Sequence, residues 1–315
     1  MPRDILVRPL RKADLPAAAR ICRLAFGTFL GAPDPETFWT DRDYVHGRWR
    51  AAHIAAFGAE AGGELVGSNF ATNWGSVGFF GPITVRPDFA DQGIGTRLIE
   101  AVISSFTGWG IRHAGLFTFP HSPKHIALYG KFGFCPRFLT AIMGLPVRSA
   151  VAAAGSSRYS ALSEGDRKTC LDDCCQITGA IYDGLDLTEE IRTVHTQQLG
   201  DTVLISDGTR VAAFAICHYG PTSEAGAGAC FIKFAAVRPG ASAEQMFGRL
   251  IAACERQAAA HGLQMLVSGV NTARGETYSY LRARGFRTEI LGIAMHRPNE
   301  AGYSRPGVYV IDDWR

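Results

Sequence analysis

The 315-residue chain has no apolar run long enough to span a bilayer, and its opening residues, Met1-Pro2-Arg3-Asp4-Ile5-Leu6-Val7, lack the long apolar core of a secretion signal. A cytoplasmic protein that does not engage a membrane is expected. Charge is sparse as well. Only 19% of the residues are charged and the net charge is +3, too little of one sign for a nucleic-acid footprint. The eight cysteines are scattered, with no disulfide framework, which suits a reducing compartment. Their one cluster, Cys170-x-x-x-Cys174-Cys175, lacks a second Cys or His pair at zinc spacing, so it reads as small buried side chains and no metal is expected. What remains is an ordinary globular composition, 47% hydrophobic, on a chain long enough for two domains.

One stretch organises the rest. Gly81-Pro82-Ile83-Thr84-Val85-Arg86-Pro87 reads as a strand, because Ile83 and Val85 are β-branched and Pro87 cannot continue a ladder. After a short loop, Leu98, Ile99, Val102, Ile103 and Phe106 recur at helical spacing, so a helix begins near Ile94. Gly93 and Gly95 stand at its mouth. The first N–H groups of a helix have no internal acceptor and lie at the positive end of its dipole, and glycine lets an anion approach them. Further on, Lys124 to Phe134 reads as a short helix that stops at Gly133, a residue suited to a left-handed cap.

Together the two segments resemble the GNAT superfamily of acyl-CoA-dependent N-acyltransferases. The family's phosphate motif, Arg/Gln-x-x-Gly-x-Gly/Ala after a Val-x-Pro strand end, is met by Gly93 and Gly95, and its Leu-Tyr-x-Lys-x-Gly-Phe signature by Leu128 to Phe134. Ala90 departs from it at the Arg/Gln position, where the loop backbone matters more than the side chain. The resemblance implies acetyl-CoA as co-substrate and an amine acceptor. Asp91, Gln92, Gly93, Ile94, Gly95 and Thr96 would cradle the pyrophosphate, with Ser122 and Lys131 nearby. The open edge of Ile83, Thr84 and Val85 would pair with pantetheine, which accounts for Pro82 in the key strand. Tyr129 matches the general acid that protonates the departing thiolate, and its ordinary pKa of about 10 keeps it protonated at neutral pH.

A general base is missing from the pattern. Many family members carry a Glu on the strand before the glycine loop, whereas Phe79-Phe80-Gly81-Pro82-Ile83-Thr84 contains no acid. His121 and His125 titrate near neutrality and are candidates. Asp34, Glu36, Asp41 and Asp43 lie in an aromatic-rich stretch that would form the acceptor lid, where they would act through water, bind a cationic substrate or stay solvated. The aromatics favour a small, partly apolar amine. No Cys or Ser is marked as an acyl-accepting nucleophile, so direct attack in a ternary complex is expected. The alternative is a non-catalytic acyl-CoA-binding module.

Residues 149–157 are a run of small residues that reads as a linker. Beyond it the chain repeats. An offset of 152 carries Val85-Arg86-Pro87 onto Val237-Arg238-Pro239, Arg97-Leu98-Ile99 onto Arg249-Leu250-Ile251 and Gly133-Phe134 onto Gly285-Phe286. The same offset replaces Gly93 by Gln245, Gly95 by Phe247 and Tyr129 by Leu281. Tyr280 lies about 100° around the helix and is expected to point elsewhere. The expected fold is therefore α/β: two tandem GNAT-like domains, residues 1–148 and 158–315. Each would have a mixed, mostly antiparallel twisted sheet, a splayed parallel pair and flanking helices. The second copy is expected to keep the fold without the cofactor. Asp312 and Asp313 read as a solvated strand end, or as acids within reach of a substrate bound between the halves.

Overall fold

The computed structural model describes residues 4–148, 155–220 and 222–315. The first half runs β1 (Ile5–Pro9), α1 (Leu15–Phe29), α2 (His46–Arg50), β2 (Ile54–Ala61), β3 (Glu64–Trp74), β4 (Val77–Phe80) and β5 (Thr84–Val85). It continues with α3 (Ile94–Gly108), β6 (His113–Thr118), α4 (Pro123–Gly130) and β7 (Cys135–Pro146). The second half runs β8 (Ser156–Arg158), α5 (Glu164–Ile181), α6 (Thr188–Thr196), β9 (Gly200–Ser206), β10 (Val211–His218) and β11 (Ala229–Val237). It ends with α7 (Ala243–Ala260), β12 (Met265–Asn271), α8 (Gly275–Arg284), β13 (Arg287–Arg297) and β14 (Val310–Ile311). Most of the expected linker, 149–154, lies outside the described residues, and β8 already begins at Ser156.

The tandem α/β architecture is present, but the halves do not keep separate sheets. The strands form one sheet in the order β1-β2-β3-β4-β6-β13-β7-β12-β11-β10-β9-β8, antiparallel except for the pairs β4–β6 and β11–β12. The fusion is an exchange. β7 and β13 occupy matching places in the repeat, and each pairs with the other half: β13 with β6, and β7 with β12. They also pair with each other, Leu291 opposite Ala141 and Ile293 opposite Leu139. An alternating pattern marks a strand but does not say which edge it will join, so the exchange was not readable from the sequence.

Helical spacing buries Ile94, Leu98, Ile99, Val102 and Phe106 of α3 against one face of the sheet. Ile99, Val102 and Phe106 share a core with Leu116, Tyr129 and Met295, the last supplied by β13. The second half thus completes the core beneath the first half's helices. Fully burying an apolar side chain of this size is worth about 1.5–3 kcal/mol.

Candidate active site

β4 pairs with β6 only as far as Phe79, opposite Gly115. The chain then leaves the ladder through Gly81-Pro82 and returns as β5, which pairs with β3. The Gly81 N–H donates to the Phe70 carbonyl at 2.9 Å and the Arg86 N–H to the Val66 carbonyl at 2.8 Å. Antiparallel pairing alternates, so the N–H and C=O of Val85 point away from β3 toward the gap beside β6. This is the splayed, open edge expected at Ile83, Thr84 and Val85.

A cleft of about 840 Å³ occupies the gap. At one end is the start of α3. Gly93 is its N-cap with φ of +78°, a conformation natural to glycine, and no side chain caps the helix. The first bond into the helix runs from the Arg97 N–H to the Gly93 carbonyl, leaving the N–H groups of Ile94, Gly95 and Thr96 without a helical acceptor. Around this mouth stand Lys131 and Lys124, the latter paired with Asp91 at 2.5 Å. Three N–H groups without helical acceptors, a helix dipole and nearby lysines give this mouth the chemistry that suits an anion.

Tyr129 and His125 sit one helical turn apart on α4 and both line the cleft. Burial pushes the Tyr129 phenol up to about 12, although the Thr118 side chain hydrogen-bonds to it, so it is a protonated donor at neutral pH. Burial, with Lys124 and His121 nearby, lowers the pKa of His125 and keeps its imidazole neutral. Phe29 of α1 packs beside both histidines, its ring 5.6 Å from that of His121 and 5.2 Å from that of His125. Of the expected site residues, Ile83, Thr84, Val85, Asp91, Gly93, Ile94, Gly95, Thr96, His125, Tyr129 and Lys131 line the cleft. Gln92, Ser122 and His121 do not: Gln92 and His121 face solvent and Ser122 is buried at the start of α4. The Thr84 hydroxyl turns toward Ser68, 3.1 Å away, so only its backbone is offered to the cleft.

The other end lies across the sheet. Gly115 faces away from Leu116, and a Cβ there would lie 2.1 Å from the Trp314 ring. Trp314 and Arg315 of the second half, with Trp39 and Tyr44 of the lid, wall this end. Sequence reading missed Trp314 and Arg315, because nothing local ties the far end of the chain to β6. Arg48 of α2 braces them. Its guanidinium takes Glu224 at 2.7 and 2.9 Å and also donates to the carbonyls of Gly81, 2.5 Å, and Arg315, 2.6 Å. Burial disfavours the Glu224 anion, yet Arg48 and Lys233 outweigh it and hold the carboxyl far below the usual range.

The lid acids do not reach the cleft. Asp34 accepts from the Glu36 N–H, Glu36 pairs with Arg20, Asp41 with Arg42, and Asp43 with His46. Nor is the strand end at Asp312-Asp313 solvated. Asp312 is buried against Arg274 at 2.7 Å and the Tyr303 hydroxyl at 2.5 Å, while burial raises the pKa of Asp313 beside Arg315. Asp312 is held by buried partners and Asp313 by Arg315, so the strand end is not solvated, and neither acid lines the cleft.

The matching place in the second half is filled. Phe247 is buried at the mouth of α7, its ring 5.2 Å from those of Tyr280 and Tyr309. Tyr280 therefore turns into the mouth rather than away from it. The edge corresponding to β5 is occupied by β14, with Val310 opposite Ala236.

Residues 19–134 match the model of the acetyltransferase (GNAT) family. A Pyrococcus horikoshii protein provisionally termed an acetyltransferase superposes with a TM-score of 0.67 at 12% identity, covering 98% of this chain and 95% of its own. A GCN5-related N-acetyltransferase from Sphaerobacter thermophilus gives 0.57 at 15%, over 93% and 95%. A tandem GNAT protein from the clavulanic acid biosynthesis pathway gives 0.56 at 11%, over 93% and 98%. These likenesses concern the fold. No curated protein matches the sequence.

Proposed function

We propose that this chain, whose residues 19–134 belong to the acetyltransferase (GNAT) family, is an acetyl-CoA-dependent N-acetyltransferase working in its first half. The observation that carries the proposal is the convergence of three features in one cleft: the free edge of Val85, the uncapped start of α3 and the buried Tyr129 hydroxyl. The N–H groups of Ile94 to Thr96 bind the pyrophosphate of CoA, each such bond to a charged group contributing about 1.5–3 kcal/mol. The Val85 edge pairs with the pantetheine amides as an added strand, and its N–H stabilises the oxyanion that forms when the amine attacks. Acetyl-CoA supplies the activated acyl group as a thioester.

His125 takes the proton from the amine, being neutral and in the cleft; His121, outside the lining, is the weaker candidate. Tyr129 gives its proton to the departing thiolate. The protein itself is not acylated, since the amine attacks directly. The second half is a scaffold whose own cofactor edge is closed. The test is release of free thiol from acetyl-CoA across a panel of amines, with the acetylated amine identified by mass. Amine-dependent release is expected. CoA binding without release for any amine would point instead to an acyl-CoA-binding module.

A further inference from the structure

The inner end of the cleft is walled by aromatic rings and one guanidinium. Trp39 and Tyr44, ring centroids 5.5 Å apart, face it from the lid, and Trp314 and Arg315 from the second half. These rings suit a flat, apolar body. Arg315 is the charged group at this end. Its Nε faces Asp313 Oδ2 at 3.0 Å and its guanidinium carbon lies 4.3 Å from the centre of the Phe231 ring, which fixes the plane of the fork. Among the described residues neither Nη atom of Arg315 has a hydrogen-bond partner. Arg48 spans from the Arg315 carbonyl to that of Gly81, so Arg315 stands within one guanidinium of the strand that leads into β5.

The carboxylate partner of Arg315, Asp313, stands behind the cleft lining. Asp91 is the one acid among the described lining residues, and it lies at the cofactor mouth against Lys124. A polyamine or a lysine side chain would bring a second positive charge toward Arg315 and find no acidic side chain on the described lining at this end to receive it. A carboxylate, by contrast, matches the free edge of a guanidinium in shape and charge.

We propose that the acceptor is an α-amino acid with an aromatic or large apolar side chain. Arg315 holds its carboxylate, and Trp39, Tyr44 and Trp314 enclose its side chain. This rests on the acetyltransferase reading above. The experiment is calorimetric titration of the CoA-saturated full chain with L-phenylalanine, phenethylamine and spermidine as probes. Phenylalanine should bind at least about tenfold more tightly than phenethylamine, which lacks only the carboxylate, and spermidine should not bind. In Arg315→Met the two aromatic probes should bind alike, and CoA binding by that variant reports that it is folded. Spermidine binding more tightly than phenylalanine, no phenylalanine binding to the CoA complex, or a preference that survives in Arg315→Met overturns the acceptor assignment alone. Failure of CoA to bind the parent chain takes the acetyltransferase reading down, and this inference with it.

Discussion

The backbone N–H of Val237 donates to the carbonyl of Tyr309 at 3.2 Å. Val237 is the repeat counterpart of Val85, whose own N–H faces the open gap. The same strand edge is thus free in one half and satisfied by the chain's own β14 in the other. Phe247 closes the adjoining helix mouth. An edge already hydrogen-bonded cannot accept an added strand, so the repeat separates into an open copy and a closed one.

Tyr129→Phe should lower kcat by about 10²–10⁴ while leaving CoA affinity nearly intact, because general acid catalysis is typically worth that factor. The hydroxyl is the only atom removed, and its ring keeps the contact with Phe80 at 5.8 Å. Turnover equal to the parent would remove Tyr129 from the mechanism.

His125→Ala should abolish or displace the acid limb of the kcat/KM profile. That limb is expected below the ordinary histidine value of about 6.5, since burial and the neighbouring Lys124 and His121 favour the neutral ring. The same limb in the variant would move the base elsewhere.

The glycine mouth, the helix behind it and Tyr129 were legible because each depends on neighbours within a turn or two. The offset that carries Val85-Arg86-Pro87 onto Val237-Arg238-Pro239 also disclosed the repeat, and β4–β6 and β11–β12 are the two parallel pairs. Partner choice was not legible. β7 and β13 look like strands in sequence, but their exchange depends on which edge each one meets. Trp314 and Arg315 reach the cleft only because β14 lies along β11. Among the lid acids, Asp41 and Asp43 take partners within three residues, Arg42 and His46, whereas the pairing of Glu36 with Arg20, sixteen residues away, is made only on folding.

Arg48→Ala should destabilise the protein by up to about 3–5 kcal/mol, since it takes from the buried Glu224 carboxylate its two-bond partner across the halves and leaves it with Lys233 alone. Glu36→Gln, at the exposed pair with Arg20, should leave the urea midpoint almost unchanged. Equal effects of the two changes in urea unfolding would contradict the bracing role given to Arg48.

Stability should fall as the pH drops from about 6.5 toward 4. Burial lowers His113 and His218 to about 4 and His296 to about 3, whereas in the unfolded chain each titrates near 6.5. The unfolded state then binds protons that the folded state refuses, so each histidine removes about 1.4 kcal/mol per pH unit across that window. Above about 6.5 these terms are fully present. Urea midpoints at pH 7 and pH 5 check the sign, and equal midpoints would mean that these rings are not held neutral.

Calorimetric titration with CoA, of the intact chain and of Gly95→Val, decides whether the first half alone holds the cofactor. At Gly95 an added Cβ would meet only Leu128 Cδ2, at 3.4 Å, so a Cβ meets no backbone there, and Gly95 and Leu128 both line the cleft at the helix mouth. The account predicts one CoA per chain, and at least about a tenfold loss of affinity in Gly95→Val with its unfolding transition retained. Two equivalent sites per chain, or CoA binding undiminished in folded Gly95→Val, would contradict it.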